Sequence, residues 1–288
     1  MAAVTLTEVG PISGARTSRA PLVIVGLSFA WIVMVVVFCL AGPLIAPYSA
    51  TAQNLTIGMA RPDSLHWLGT NSLGTDVLSI IIVGARTAVI GPAIIAVGSM
   101  AVGSALGMLA GYYGGRTDTV IMRWADVMYA LPGLIVAIVV VGVAGGGYWL
   151  AVLVITILSI PYDTRVVRAA TLEQRGRPYL EAALLLGVKT RVLLTRHIFP
   201  NVLPIELANA FLTFAFSLVT LASLSFLGLG VPPGTPDWGR LLASSYEQLS
   251  SNPAASIAPG IMLVLTAASA SILGDWLFER LSDRGRAR

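Results

Sequence analysis

Charged residues are scarce in this 288-residue chain, and their scarcity limits what it can be. Only 11% of its residues are Asp, Glu, Lys or Arg, and 56% are hydrophobic, whereas soluble domains carry about 25% charged residues. The chain has one cysteine, Cys39, and two histidines, His66 and His197. These residues give no basis for a disulfide framework or a zinc site. The composition predicts an integral membrane protein with no large soluble domain and no metal or cofactor site of its own.

Lysine is almost absent as well, and this bears on whether the chain can bind ATP. A phosphate-binding loop of the type Gly-x-x-x-x-Gly-Lys-Ser/Thr needs a lysine that follows a glycine. The single lysine, Lys189, follows Val188. We therefore expect no ATP site and no enzymatic activity in this chain, so that any ATP and Mg²⁺ would be bound by a partner.

Six apolar segments are long enough to cross a bilayer, for which a helix needs roughly 20 residues. They span residues 22–46, 86–110, 120–143, 149–169, 201–227 and 257–278. The expected fold is therefore all-α, with six transmembrane helices. The implied division is a tail of residues 1–21, a first helix of 22–46, an external loop of 47–85, a core of 86–280 and a tail of 281–288. In the external loop, Thr75 or Asp76 could cap a short interfacial helix that continues through Ile82.

The placement of basic residues predicts the orientation. Fifteen of the eighteen Lys and Arg residues fall in the two tails, or in the loops and helix ends that share a side with them. Only Arg61, Arg86 and Arg240 fall on the other side. By the positive-inside rule, both termini are expected to be cytoplasmic. The first apolar run is longer than the roughly 7–15 residues of a signal-peptide core, so it is expected to be retained.

Small and polar residues inside the apolar segments suggest contacts between helices. Glycines at positions 98, 103, 107 and 111 would let the second segment pack closely against another helix. In the fifth segment, a polar series suits the wall of a wet pathway and suits hydrogen bonds between helices equally well: Asn209, Thr213, Ser217 and Thr220. Asp163 and Glu206 are expected near segment ends, which leaves the centres free of charge. Trp238 is expected at the outer membrane surface.

The longest basic interval between apolar segments is the 170–200 loop. Pro178 suits a first helical turn, and Glu181 favours the N-terminus of a helix. Gly187 is a usual stop, because a residue without a Cβ can take the left-handed turn after a helix. Ala182 and Ala183 would leave one flank small enough for another protein surface to approach closely. The pattern predicts a short helix, a glycine turn and a second basic helix before the fifth segment.

The spacing within this loop carries a resemblance. Glu181-Ala182-Ala183, then Gly187 after three residues, then His197-Ile198-Phe199-Pro200-Asn201 after nine more, resembles the coupling loop of ABC importer permeases. The ending is similar to that of the dipeptide, oligopeptide and nickel permeases of the DppC and OppC kind. The run Gly69-Thr70-Asn71…Gly74-Thr75-Asp76 also resembles a family signature, with Asn71 in place of Asp and Thr75 in place of Arg.

The resemblance covers about residues 65 to 280 and carries implications for fold and function. It implies a type I ABC importer permease fold with a cytoplasmic coupling-helix loop, and ATP-driven import of dipeptides or oligopeptides across a bacterial inner membrane. The implied contacts with the ATPase are Tyr179, Glu181, Ala182, Ala183, Gly187, His197 and Pro200. The implied partners are a second permease of the DppB or OppB kind, two ABC ATPase domains, an extracytoplasmic substrate-binding protein and membrane lipid, with no nucleic acid.

Three alternatives remain at the level of the sequence. A permease of the same family could carry nickel or another small solute. A secondary transporter or channel could act without an ATPase, and charges near the middle of the membrane would favour it. A membrane scaffold without a transport function would leave the spacing of the 170–200 loop unexplained.

Overall fold

The computed structural model describes residues 20–246 and 249–286, which form a bundle of helices. In chain order the elements are α1 (Ala20–Ile45), α2 (Val77–Tyr113), α3 (Gly115–Tyr129), α4 (Gly133–Val143), α5 (Tyr148–Arg175), α6 (Pro178–Leu185), α7 (Thr190–Val192), a π-helical segment (Leu193–Ile198), α8 (Phe199–Phe226), α9 (Trp238–Ser245) and α10 (Pro253–Arg286). The short helices α6 and α9 mark opposite ends of the bundle. We call these the α6 end and the α9 end.

Five helices in the described part of the chain are long and apolar enough to cross a membrane, and α3 with α4 adds a broken sixth. The sequence predicted an unbroken third crossing over 120–143. The structure instead bends the chain by 77° between α3 and α4. Pro132 explains the break, because its ring disfavours helical backbone at the preceding residue and cannot continue the hydrogen-bond ladder. With 11 residues, α4 is about 16 Å long, too short to span the bilayer core alone.

Helices α2 and α5 pack together at close range along most of their lengths. A Cβ added at Gly98 would approach Thr156, and one at Gly103 would meet Asp163. The next two glycines of this stripe face the backbone or side chains of Thr164, Val167, Arg168 and Thr171 in the same way. The expectation that these glycines form a packing surface is confirmed. Their missing side chains allow the two backbones to approach closely.

Helix α2 begins earlier than the sequence predicted. Asp76 caps it by accepting hydrogen bonds from the Ser79 backbone N–H at 2.8 Å and the Ser79 hydroxyl at 2.7 Å. His66 adds a contact from its Nδ1 to the Asp76 carboxylate at 2.9 Å. The expected interfacial helix is therefore not a separate element but the first two turns of α2, because no glycine or proline interrupts the chain between Val77 and Val83.

At the α9 end, buried polar contacts tie the loop of residues 46–76 to the bundle. The Asn252 side-chain amide donates to the carbonyl oxygens of Ala60, Leu68 and Thr70 at 3.1–3.4 Å. Trp238 is fully buried, and its indole N–H donates to the Ile81 carbonyl at 2.9 Å. The expectation that Trp238 serves as an anchor facing the outer membrane surface was wrong, because α9 folds back against α2, α8 and α10 and buries the indole in the protein.

Candidate functional site

The 170–200 loop forms a folded projection at the α6 end. Arg177 precedes α6 with extended backbone, and Pro178 occupies the first turn, where its missing N–H costs no helical hydrogen bond. Glu181 lies in that first turn, where a negative charge interacts favourably with the helix dipole. These features match the helix predicted from the sequence.

A glycine turn ends α6. Gly187 has φ of +74°, a conformation that side chains disfavour. Its N–H donates to the Leu184 carbonyl at 2.9 Å, and the Val188 N–H donates to the Ala183 carbonyl at 3.1 Å. This pair of bonds is the Schellman pattern, which satisfies carbonyls that the helix end leaves free. The turn therefore fixes the direction in which the chain leaves α6.

The base of the projection is buried in an apolar cluster. Leu180 and Ala183 of α6 pack with Val167 of α5 and with three residues of the following helical stretch, namely Leu193, Ile198 and Val202. Met108 and Tyr112 of α2 border the same cluster. Because three long helices contribute to this cluster, α6 is attached to the bundle rather than tethered by a loose loop.

The second basic helix of the loop is continuous with α8. From Thr190 to Phe226 the chain is helical throughout, with a π-helical segment before Pro200. Pro200 has no N–H to donate and its ring crowds the preceding turn. A wider π turn relieves that crowding. Asn201 adds support, because its side-chain amide donates to the His197 carbonyl at 2.6 Å. The result is one continuous helix from the glycine turn to the α9 end.

The residues expected to contact an ATPase divide into two groups. Glu181, Ala182, Gly187 and Pro200 are exposed, whereas Ala183 is buried in the apolar cluster. Both alanines were expected on an open flank, and Ala183 departs from this because the helical period turns it toward the core. His197 is half-buried, and its Nδ1 lies 3.4 Å from the Val192 carbonyl.

Tyr179 links the two helices of the projection. Its hydroxyl donates to the Gln174 side chain at 2.9 Å and accepts from the Asn201 amide at 3.2 Å. Partial burial raises the pKa of this phenol, while the hydrogen bond from Asn201 and the charge of Arg177 oppose the shift. Tyr179 therefore positions α6 against the start of α8.

The sequence analysis missed the most exposed apolar residues of the loop. Leu185 and Leu186, at the C-terminal end of α6, are 91% and 83% exposed, and Leu184 is half exposed. Lys189 and Arg191, just beyond the glycine turn, are exposed too. An apolar tip beside basic residues is typical of a surface that a partner protein covers. The signal was present in the sequence as three consecutive leucines before Gly187.

The polar series of α8 lies mainly inside the bundle. Asn209 donates to the Asp163 carboxylate of α5 at 2.5 Å, and the Thr213 hydroxyl lies 3.5 Å from the same oxygen. Ser217 and Thr220 donate to carbonyls of their own helix. Of the two interpretations left open, hydrogen bonding between helices describes Asn209 and Thr213. Thr220 alone of the four is only half-buried and so could face a pathway.

Two carboxylates occupy positions that the sequence analysis did not expect. Asp163 and Glu206 were assigned to segment ends, but both lie within long helices and are only 1% exposed. The predicted segments 149–169 and 201–227 placed them toward segment ends, whereas α5 continues to Arg175 and the helix that contains Glu206 is continuous from Thr190. Among residues 20–246 and 249–286, no group of three or more His, Cys, Asp and Glu side chains is arranged to hold a metal ion.

Comparison with known proteins identifies the family. Residues 103–286 match the family described as "binding-protein-dependent transport system inner membrane component". The chain is 38% identical over 223 residues to the glutathione transport system permease protein GsiD of Pectobacterium atrosepticum, covering 77% of this chain and 74% of that protein. It is 34% identical over 258 residues to the di/tripeptide transport system permease protein DppC of Pseudomonas aeruginosa, covering 87% and 85%.

A solved structure supports the architecture. The chain aligns with the MetNI methionine ABC transporter in an inward-facing conformation with a TM-score of 0.57 and 16% identity, covering 70% of this chain and 96% of that chain. At this identity the likeness concerns the fold alone. The family match and the apolar helices place the chain in the inner membrane of a bacterium. The chain therefore belongs to the family of binding-protein-dependent transport system inner membrane components, and it is the permease subunit of an ABC importer.

Proposed function

We propose that this chain forms half of the translocation pathway of a peptide importer and couples to a separate ATPase through the 170–200 loop. A second permease of the DppB or OppB kind would complete the pathway. Two ABC ATPase domains, which would bind the ATP and Mg²⁺, would lie at the α6 end, and an extracytoplasmic binding protein would deliver substrate at the α9 end. Both termini would be cytoplasmic.

The observation that carries this proposal is the anchored projection with an apolar tip. Leu185 and Leu186 are exposed, whereas Leu180 on the same short helix is 3% exposed. The tip offers a surface for a partner, and the buried base connects that surface to α2, α5 and α8. A push on the tip would therefore move these helices as well.

The distribution of charge supports the orientation. The basic residues of the projection and of the adjoining end of α5 all belong to the α6 end: Arg165, Arg168, Arg175, Arg177, Lys189, Arg191 and Arg196. Such clustering favours the cytoplasmic side. An ATPase has access to ATP only on that side.

The loop residues would then have distinct roles. Glu181 is exposed in the first turn of α6, where it could pair with a basic group of the ATPase. Ala182 would allow close approach of the partner surface, and Ala183 would hold α6 on its apolar base. Gly187 would set the angle between α6 and the helix that continues into α8, while Tyr179, His197 and Pro200 would shape the start of that helix.

The substrate class is proposed from the relatives. One is named for glutathione transport and another for di- and tripeptide transport, and these substrates are short peptides or peptide-like molecules. We propose that the assembled importer carries short peptides. Uptake assays with a labelled dipeptide, glutathione and nickel would separate this proposal from a nickel or other small-solute permease.

The test of coupling is the double variant Leu185→Glu with Leu186→Glu. Both side chains are exposed, so the change should leave folding intact while it removes the apolar tip. In affinity purification of the tagged chain in mild detergent, the wild type should bring down an ATPase and a second permease. The double variant should lose the ATPase and keep the permease.

The matched control is Leu65→Glu, an exposed leucine at the α9 end, 68% exposed. It should retain both partners. Retention of the ATPase by the tip variant, or absence of an ATPase from the wild-type purification, would refute the assignment of the loop. A carrier that acts without an ATPase would then become the leading interpretation.

A further inference from the structure

Two carboxyl groups meet inside the bundle where α2, α5 and α8 come together. Asp163 belongs to α5 and Glu206 to α8, and each is 1% exposed. Asp163 accepts a hydrogen bond from Asn209, which lies three residues after Glu206 on α8. Glu206 accepts one from Ser104, which directly follows the glycine of α2 that packs against Asp163. On the α2 side, the backbone at Gly103 packs directly against Asp163, so that even an added Cβ at Gly103 would clash with the Asp163 Cβ. The pair is therefore sealed from water within the chain itself.

By distance and angle, hydrogen bonds reach only one oxygen of each carboxyl group. The Ser99 hydroxyl of α2 lies beside Asp163 but donates to the Ala96 carbonyl of its own helix at 3.4 Å. Oδ1 of Asp163 accepts from the Asn209 amide at 2.5 Å, and the Thr213 hydroxyl lies at 3.5 Å. Oε1 of Glu206 accepts from the Ser104 hydroxyl at 3.2 Å. The remaining oxygens, Oδ2 of Asp163 and Oε2 of Glu206, are buried and have no hydrogen-bond partner. Each of these two buried oxygens therefore lacks a hydrogen-bond donor.

No positive charge balances the pair within the described part of the chain. Neither carboxyl group forms an ion pair with a described Lys, Arg or His side chain within 4.0 Å. The Tyr129 phenol of α3 also lies near Asp163. Arg165 stacks over the Tyr129 ring at 4.3 Å and is paired with Asp126 at 2.7 Å. Its charge is therefore already engaged elsewhere.

Two adjacent carboxylates without a counter-ion are very unfavourable inside a membrane protein. A buried ionised group is strongly destabilising unless it is paired, and two like charges in one site oppose each other further. A carboxyl group that takes up a proton becomes a hydrogen-bond donor. A proton on either unpartnered oxygen therefore removes one of the two charges and gives that carboxyl group an O–H donor.

We propose that Asp163 and Glu206 form a buried proton-binding site that joins α5 to α8. One proton is held by the pair as a unit, since the protonation of coupled groups belongs to both. The bound proton stabilises the contact between the two helices in this arrangement. The site is built from this chain alone and does not depend on the proposed partners or on the transported substrate.

The direct test is infrared difference spectroscopy of the full chain in lipid nanodiscs at neutral pH. A protonated carboxyl group has a carbonyl-stretch band that carboxylates lack, and the band shifts in D₂O. The wild type should show this band, and the double variant Asp163→Asn with Glu206→Gln should lose it. Glu173→Gln, which changes an exposed carboxylate of α5, should keep it. Absence of the band from the wild type, or its persistence in the double variant, would overturn the proposal.

A second measurement distinguishes a proton from a bound cation. If the folded chain holds one proton that the unfolded chain releases, the folding equilibrium constant should fall about tenfold per pH unit over the range of release. Glu206→Gln should lower that slope by the one proton that the pair contributes, while it preserves the shape of the side chain. A fold stability that depends instead on Na⁺ or Ca²⁺ concentration, at constant pH and ionic strength, would show a cation site and overturn the proton site.

Discussion

Replacement of Gly107 by alanine tests whether close approach of α2 and α5 determines the stability of the bundle. A Cβ at this position would lie 2.6 Å from the Thr164 carbonyl oxygen, 2.7 Å from the Val167 Cβ and 2.9 Å from the Arg168 nitrogen. Two of these are backbone atoms and the third is a β-branched carbon. None of them can move away by a side-chain rotation.

The magnitude follows from these distances. Non-bonded heavy atoms are most favourable at about 3.5–4.0 Å, so the helices would have to separate by about 1 Å. Such overpacking of a close-packed interior costs about 1–3 kcal/mol. The matched control is Gly26→Ala in α1, where an added Cβ meets nothing within 4 Å. Both variants gain the same helix propensity, so the difference between them isolates the packing cost.

The assay is reversible unfolding of the purified chain in mixed micelles, which gives the free energy of unfolding of each variant. We expect Gly107→Ala to be about 1–3 kcal/mol less stable than Gly26→Ala. Gly107→Val should be less stable still, because its two extra methyl groups enter the same space. Equal unfolding free energies for Gly107→Ala and Gly26→Ala would refute the claim that α2 and α5 need direct backbone contact here.

Two further predictions concern the α9 end. Trp238→Phe should lower the free energy of unfolding by about 1 kcal/mol through loss of the hydrogen bond to Ile81, and Trp238→Ala by about 3–5 kcal/mol through the cavity; a membrane-surface tryptophan would show little difference in thermal unfolding. Burial raises the pKa of Asp237, partly opposed by hydrogen bonds from the Arg240 backbone and Thr87. The folded chain therefore binds this proton more tightly than the unfolded chain, and stability should fall as pH rises from about 4 through the folded pKa. Asp237→Asn keeps a helix-capping side chain and should make stability less dependent on pH. The check is to compare the thermal midpoints of the variant and the wild type at about pH 4.5 and 7.5. An unchanged difference between the two pH values would contradict the raised pKa of Asp237.

Local signals of the sequence were reliable where chain neighbours alone decide the outcome. Pro178, Glu181 and Gly187 predicted the start and end of α6, since capping and left-handed turns depend on a few adjacent residues. The apolar segments predicted the crossings for the same reason: a helix in lipid must satisfy its own backbone and present apolar side chains. The stripe of glycines in α2 predicted a close contact, although not that α5 is the partner.

Predictions that depended on distant residues were less successful. Asp163 and Glu206 were placed toward segment ends because hydropathy marks only the apolar part of a helix, not its polar continuation at either end. Trp238 is buried because a later segment folds back over α2. The orphaned carboxyl oxygens could not be inferred from the sequence at all, since they depend on which donors three separate helices bring to one point.

The sequence by itself determined that this protein spans a membrane with helices and carries a short helix ending in a glycine turn. Hydropathy, charge placement and local capping depend on neighbouring residues, so they can be recognised in the sequence without knowledge of tertiary contacts. Only the tertiary structure decided that the 170–200 loop has a buried base with an exposed leucine tip, and that Asp163 and Glu206 share a dry interior. Those properties arise from contacts between α2, α5 and α8, which are far apart in the chain and meet only when the bundle packs.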